Sequence, residues 1–216
     1  MVAALGAAQS SVRLQAALAV GSQPDAVHLE PLVERCAVES DFYVRDMLSW
    51  ALTRLPVQAT LPRIRRELDA ARPQARSQAL HTLSKIGAAE AWEWITPALL
   101  RDPDDEVART AWRTAVVLAP ESGRAGLAAT LAGQLGRGDR DVRLSLSRAL
   151  VDLGAVSAPV LERSATSPDP EVSAHARATE LLRRDPELGF DAAVEAAKRV
   201  AALGPERAAA VDGARP

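Results

Sequence analysis

The side chains that most often carry catalysis are scarce in this chain: His28, His81, His175, Cys36 and Tyr43 are the only members of their residue types. His28 and Cys36 stand eight residues apart, too far for ligands on adjacent helical turns, and a buried thiol near a surface imidazole accounts for both. No glycine-rich phosphate loop, nucleophile elbow or His-Glu-x-x-His run is present. Asp104-Asp105 precedes an apolar periodic stretch, where carboxylates cap a new helix. These observations predict no catalytic residue, no metal and no cofactor, with an active site assembled across several segments as the alternative. The chemistry that remains is recognition. Trp50, His81, Lys85, Arg109, Arg113 and Arg148, together with Met47 and Arg54, are the candidate binding residues, because Trp and Arg are the types most enriched among interface hot spots and guanidinium groups suit an acidic peptide or helix.

The elements that position these residues come from an internal repeat. A polar or acidic residue, two variable positions, Val or Ala, usually Arg, and then apolar residues at helical spacing recur at anchors Val12, Val44, Ala75, Val107, Val142 and Val172. The separations of 32, 31, 32, 35 and 30 residues mark roughly six units of supersecondary structure. Asp41, Asp104, Asp139 and Asp169 precede their anchors by three, as N-caps do. Arg13, Arg45, Arg76 and Arg143 follow their anchors directly. The residues four beyond the anchors are Ala16, Leu48, Ala79, Ala111, Leu146 and Ala176, one turn along the same face and so in the core stripe.

Second amphipathic runs lie between these segments, such as Leu61 with Ile64 and Leu68, Trp92 with Ile95 and Leu99, and Leu127 with Leu131 and Leu135. Each period therefore reads as two antiparallel helices, A then B, with breaks at Pro56, Gly87, Pro120, Gly136 with Gly138, and Gly154. No segment alternates in the manner of a strand. Helices of a dozen residues bury an apolar face only when stacked on neighbours, so the expectation is one array over 1–204, closed by a helix near 190–203, with a flexible tail at 205–216. In such a stack the positions two, three, six and ten after each anchor line the B-helix face. The plus-six column reads Leu18, Trp50, His81, Arg113, Arg148 and Ala178; Asp46 and Arg109 stand at plus two, Met47, Gln78, Thr110, Ser145 and His175 at plus three, and Arg54 and Lys85 at plus ten. Trp92 and Trp112 read as fillers between helices, and Trp94, off that stripe, as a surface residue.

Composition narrows the classes of function. Hydrophobic residues make up 48% of the chain but aromatic ones only 3%, so small side chains must bring helix backbones close together. With 26 basic and 28 acidic residues the formal net charge is −2, which argues against a protein that neutralises many phosphates. One cysteine rules out an intrachain disulfide and fits a reducing cytoplasm. No apolar run approaches the roughly 18–20 residues of a membrane span, and Met1 to Gln9 has no basic leader with a long apolar core.

The Asp-x-x-Val-Arg-x-x-Ala/Leu pattern at a period near 31 resembles bacterial HEAT repeats of the short, bilin-lyase-like type over about residues 10–184. The resemblance implies an all-α, right-handed α-solenoid of stacked antiparallel helix pairs, with B helices on the concave side and an Asp/Arg ladder between neighbouring repeats. Ala108 and Ser173 stand where Arg is expected, and Arg72 replaces the capping Asp of the third unit. The implied function is a non-enzymatic scaffold or adaptor that binds another protein. The alternatives are a nucleic-acid-binding accessory protein, with Arg109, Arg113 and Arg148 on phosphates, or a repeat-built enzyme of the bilin lyase or DNA glycosylase kind.

Overall fold

The computed structural model describes residues 2–203; the tail expected at 205–216 lies outside them. Helix follows helix, with no strand among the described residues. The chain divides between Leu118 and Ala119 into two compact units, where the sequence suggests a single array.

The first unit opens with a 3₁₀ turn at Val2–Gly6 and helix α1 at Ser10–Ser22. It continues with α2 (Leu29–Cys36), α3 (Phe42–Arg54), α4 (Val57–Glu67), α5 (Pro73–Ile86), α6 (Pro97–Leu100) and α7 (Asp105–Leu118). The B helices α1, α3, α5 and α7 pack in sequence side by side, and α2, α4 and α6 pack on them as the A layer. The second unit contains α8 (Glu121–Ala132), α9 (Arg140–Asp152), α10 (Ala158–Ser164), α11 (Pro170–Arg184) and α12 (Phe190–Leu203). Here α9 and α12 both pack on α11.

The caps form as the sequence predicts. One carboxylate oxygen of Asp41 accepts the N–H groups of Tyr43 and Val44, and Asp104, Asp139 and Asp169 repeat this with the second and third residues that follow each. Arg72 makes no such bond; Pro73 starts α5 instead, where its missing N–H costs nothing. All six residues at plus four are buried, from Ala16 to Ala176. Of the anchors, Val44, Ala75, Val107 and Val142 are buried, Val172 is half-buried, and Val12 is exposed. Val172 presses on Gly136, in the turn of the pair before its own; no pair precedes α1 among the described residues.

The ladder between repeats uses a different acid from the expected one. Arg13 forms a bidentate pair with Glu39 (2.7 and 2.8 Å) and Arg76 with Asp102 (2.9 and 3.0 Å), each also donating to two carbonyls of its own preceding loop. Glu39 and Asp102 lie two residues before the capping Asp and accept its N–H. The cap holds the helix end while the residue before it holds the previous repeat. Among the described residues Arg45 donates to the carbonyls of Glu39 and Ser40 and to no carboxylate, because the equivalent acid position in the next repeat is Ala70.

Two further readings need correction. The run through Trp92, Ile95 and Leu99 is not one helix: a 3₁₀ segment, Ala89–Trp94, is followed by the four-residue α6, since Pro97 disfavours helical geometry at Thr96. Trp112 is the filler there, fully buried with its indole N–H on the Leu100 carbonyl, while Trp92 is half-buried. Trp94, also half-buried, lies under the Arg65 guanidinium. The plus-three column is open only in part: Gln15 is exposed and Met47 and Gln78 are half-buried, but the later members are closed off. Thr110, Ser145 and His175 are buried; Thr110 meets Ser77 and His175 meets Ser147, each on the B helix before its own.

Candidate binding face

The exposed plus-six positions of the first unit remain available. Leu18 and Arg113 are exposed, Trp50 and His81 are half-buried. Trp50 lies on Gly21 of α1, where an added Cβ would overlap its six-membered ring, so one face of the indole is packing surface. Arg54 and Lys85 are exposed; Met47 and Arg109 are half-buried. Arg148 is exposed on α9, in the second unit. Ala178, the last member of the column, is buried against Ala193 and Ala197 of α12.

Across α3, α5 and α7 two adjoining clefts, of about 230 and 380 Å³, share Arg45, Ser77, Gln78 and Glu106 and together form a trough. His81 and Arg113 line one end, Gln74 and Asp104 the other. Thus two of the candidate binding residues, His81 and Arg113, come together there with Lys85 and Arg109 beside them. Asp46 takes Lys85 at 3.1 Å and lies 3.6 Å from the His81 ring. Burial, then the Lys85 charge, hold the His81 ring below its ordinary pKa against the pull of Asp46, which leaves it neutral at pH 7. Glu106 lies 3.4 Å from Arg109 and 3.8 Å from Arg113. Burial lowers the Arg113 pKa, with Arg109 adding to the effect and Glu106 opposing it; a guanidinium nevertheless stays charged. Arg45 has no carboxylate partner among the described residues, and its guanidinium lies 6.0 Å from the Phe42 ring centroid.

Two prominent residues escape the sequence reading. Phe42, which lines the trough, and Tyr43 beside it are 66% and 71% exposed and meet edge to face. Their signal is positional: they fall between the cap Asp41 and the anchor Val44, in a first turn whose core contact the anchor alone makes. Such rings at a rim are ready contact area for a partner.

A cleft of about 410 Å³ in the second unit, beside Phe190 and His175, also carries charge, but its cations are already matched. Arg140 pairs with Asp191 at 2.7 Å, Arg143 with Glu171, and Lys198 with Glu195 at 3.3 Å. His175 is buried and fully bonded: Nδ1 accepts the Gly136 N–H, so Nε2 carries the proton, between the Arg143 carbonyl and Ser147 Oγ. Burial pushes its pKa down to about 4. Ser147 in turn contacts Thr179, whose hydroxyl donates to the His175 carbonyl. This Ser–His contact is a structural tie between α9 and α11.

Residues 29–116, which run from α2 through α7 within the first unit, match the HEAT repeats family. A solved crystal structure of an engineered protein is similar at 21% identity, covering 84% of this chain and 94% of that one, with a TM-score of 0.45. No curated protein sequence matches. The chain is thus an all-α protein of stacked helix pairs with a HEAT-repeat match over its first unit.

Proposed function

We propose that the protein is a non-enzymatic scaffold or adaptor that binds another protein on the B-helix face of its first unit. The observation that carries this is the trough over α3, α5 and α7, where Arg45 and Arg113 hold incompletely matched positive charge beside the exposed Phe42–Tyr43 pair. Carboxylates on the partner supply the missing negative charge, and the rings cover apolar side chains. The trough's own hydroxyl near His81 in sequence, Ser77, is engaged with Thr110 at 3.1 Å, which favours recognition over nucleophilic chemistry. The buried, unpaired Cys36 fits a reducing cytoplasm. No described helix is long and apolar enough to cross a membrane.

The test replaces Phe42 with a photoreactive benzophenone amino acid in the full chain and irradiates it in host extract. A discrete protein adduct, absent when the same group replaces the exposed Arg66 of α4, is the expected result. Nucleic-acid adducts, equal labelling from both positions, or no adduct would overturn the proposal.

A further inference from the structure

Gln78, in the middle of the trough wall, has a side-chain amide with no hydrogen bond among the described residues, and its Oε1 is buried without a partner. Arg109 Nε, on the neighbouring helix α7, is also buried and unpartnered. An unbonded amide carries both an acceptor and two donors, the complement of one peptide unit of an extended chain. Leaving such a group unsatisfied is unfavourable, and the Gln78 side chain lines the trough. A helix offers no main-chain N–H or C=O along its sides, because each is spent internally; an extended segment offers both.

From this juxtaposition we infer that the trough binds an extended, acidic segment of a partner protein. The Gln78 amide holds its main chain, Arg45 and Arg113 take carboxylate side chains on either side, and the Phe42–Tyr43 pair covers an apolar residue. The inference rests on the protein-binding reading above and adds the conformation and charge of what is bound. Charge complementarity selects the acidic class: Arg45 has no carboxylate partner among the described residues, and the nearest one to Arg113 is at 3.8 Å. Glu106 and Asp46 are shared with Arg109 and Lys85, and the Asp104 carboxylate caps α7.

The probe is a fluorescein-labelled octapeptide of alternating Glu and Leu, compared by anisotropy with a Lys/Leu twin and with a Glu/Leu twin whose central peptide nitrogens are methylated. The full chain should bind the acidic peptide about tenfold or more tightly than the basic one at low salt. Main-chain methylation should weaken binding about tenfold, the scale of one lost hydrogen bond to a buried group. Gln78→Ala should bind the plain peptide more weakly and show no further loss on methylation. Arg45→Ala with Arg113→Ala should bring the acidic-to-basic ratio close to one. Melting curves matched to the parent establish that these exposed or half-buried changes leave the fold intact. Equal binding of acidic and basic peptides, binding of neither, tighter binding of duplex DNA, or a methylation penalty that survives Gln78→Ala would overturn the inference. Protein crosslinking from position 42 alongside such a result keeps the protein-binding reading and rejects only the extended acidic segment; loss of that crosslinking rejects both.

Discussion

At the scale of single residues, the buried ion pairs at the repeat joints are the most exacting feature. Glu39 is fully buried; burial alone raises a carboxyl pKa, but bonds from Arg13, the Asp41 N–H and Arg35 outweigh it and bring Glu39 to about 2. Because the folded value is depressed, this contribution is complete above the ordinary carboxylate pKa and is lost as pH falls through about 4 towards 2. Glu39→Ala strands Arg13 in a buried site and should cost on the order of 3–5 kcal/mol by urea unfolding at pH 7, with the cost fading near pH 2. His175 gives an acid-side slope at milder pH. Its folded pKa of about 4 lies below the ordinary imidazole value, so between about pH 6.5 and 4 the unfolded chain takes up a proton that the folded one does not. Stability should therefore decline across that window, and His175→Gln should flatten the decline in melting temperature against pH.

At the scale of elements, each B helix leans on its neighbours. Leu80 is fully buried in α5, between α3 and α7. Leu80→Ala should cost roughly 2–5 kcal/mol. Hydrogen exchange followed by mass spectrometry should show protection falling in α3 and α7 as well as α5, since nearest-neighbour packing carries much of a repeat's stability; loss confined to α5 would contradict that. The cap Asp41 serves only the end of α3, so Asp41→Ala should cost about 1 kcal/mol, with fraying limited to the first turn of that helix. The position of Trp50 depends on its neighbour in the same way. Gly21→Ala puts a methyl where the ring lies and should expel the indole from α1, seen as a red shift of tryptophan emission.

At the scale of the molecule, the division between Leu118 and Ala119 coincides with the end of the match to HEAT repeats at residue 116. The first unit has its own core, including Leu48, Leu52, Leu80, Leu83 and Trp112, and both bidentate Arg–acid ladders are internal to it. A fragment ending at Leu118 should therefore keep helical circular dichroism and a cooperative melt; a non-cooperative melt would show that the unit needs more of the chain. If the trough is the binding face, that fragment should also retain it, because every lining residue comes from α3, α5 and α7 or their entry loops.

The sequence by itself determined the period, the helix starts and the core stripe. A cap, an anchor and a residue one turn later are local relations, set by backbone geometry within a few residues, and the bonds of Asp41, Asp104, Asp139 and Asp169 follow from them. It also placed His81 and Arg113 on one face, because a repeat converts sequence spacing into spatial alignment. Only the tertiary structure decided which flank of each B helix its neighbours cover. That buried Thr110, Ser145 and His175, left Gln78 Oε1 without a hydrogen-bond partner among the described residues, and turned Phe42 and Tyr43 outward. It likewise selected Glu39 and Asp102 over the capping residues as the partners of Arg13 and Arg76. Those outcomes depend on how closely Ala-rich helices approach one another and on how far a long Arg side chain reaches. Both are distances between segments some thirty residues apart, which helical periodicity within one segment does not encode.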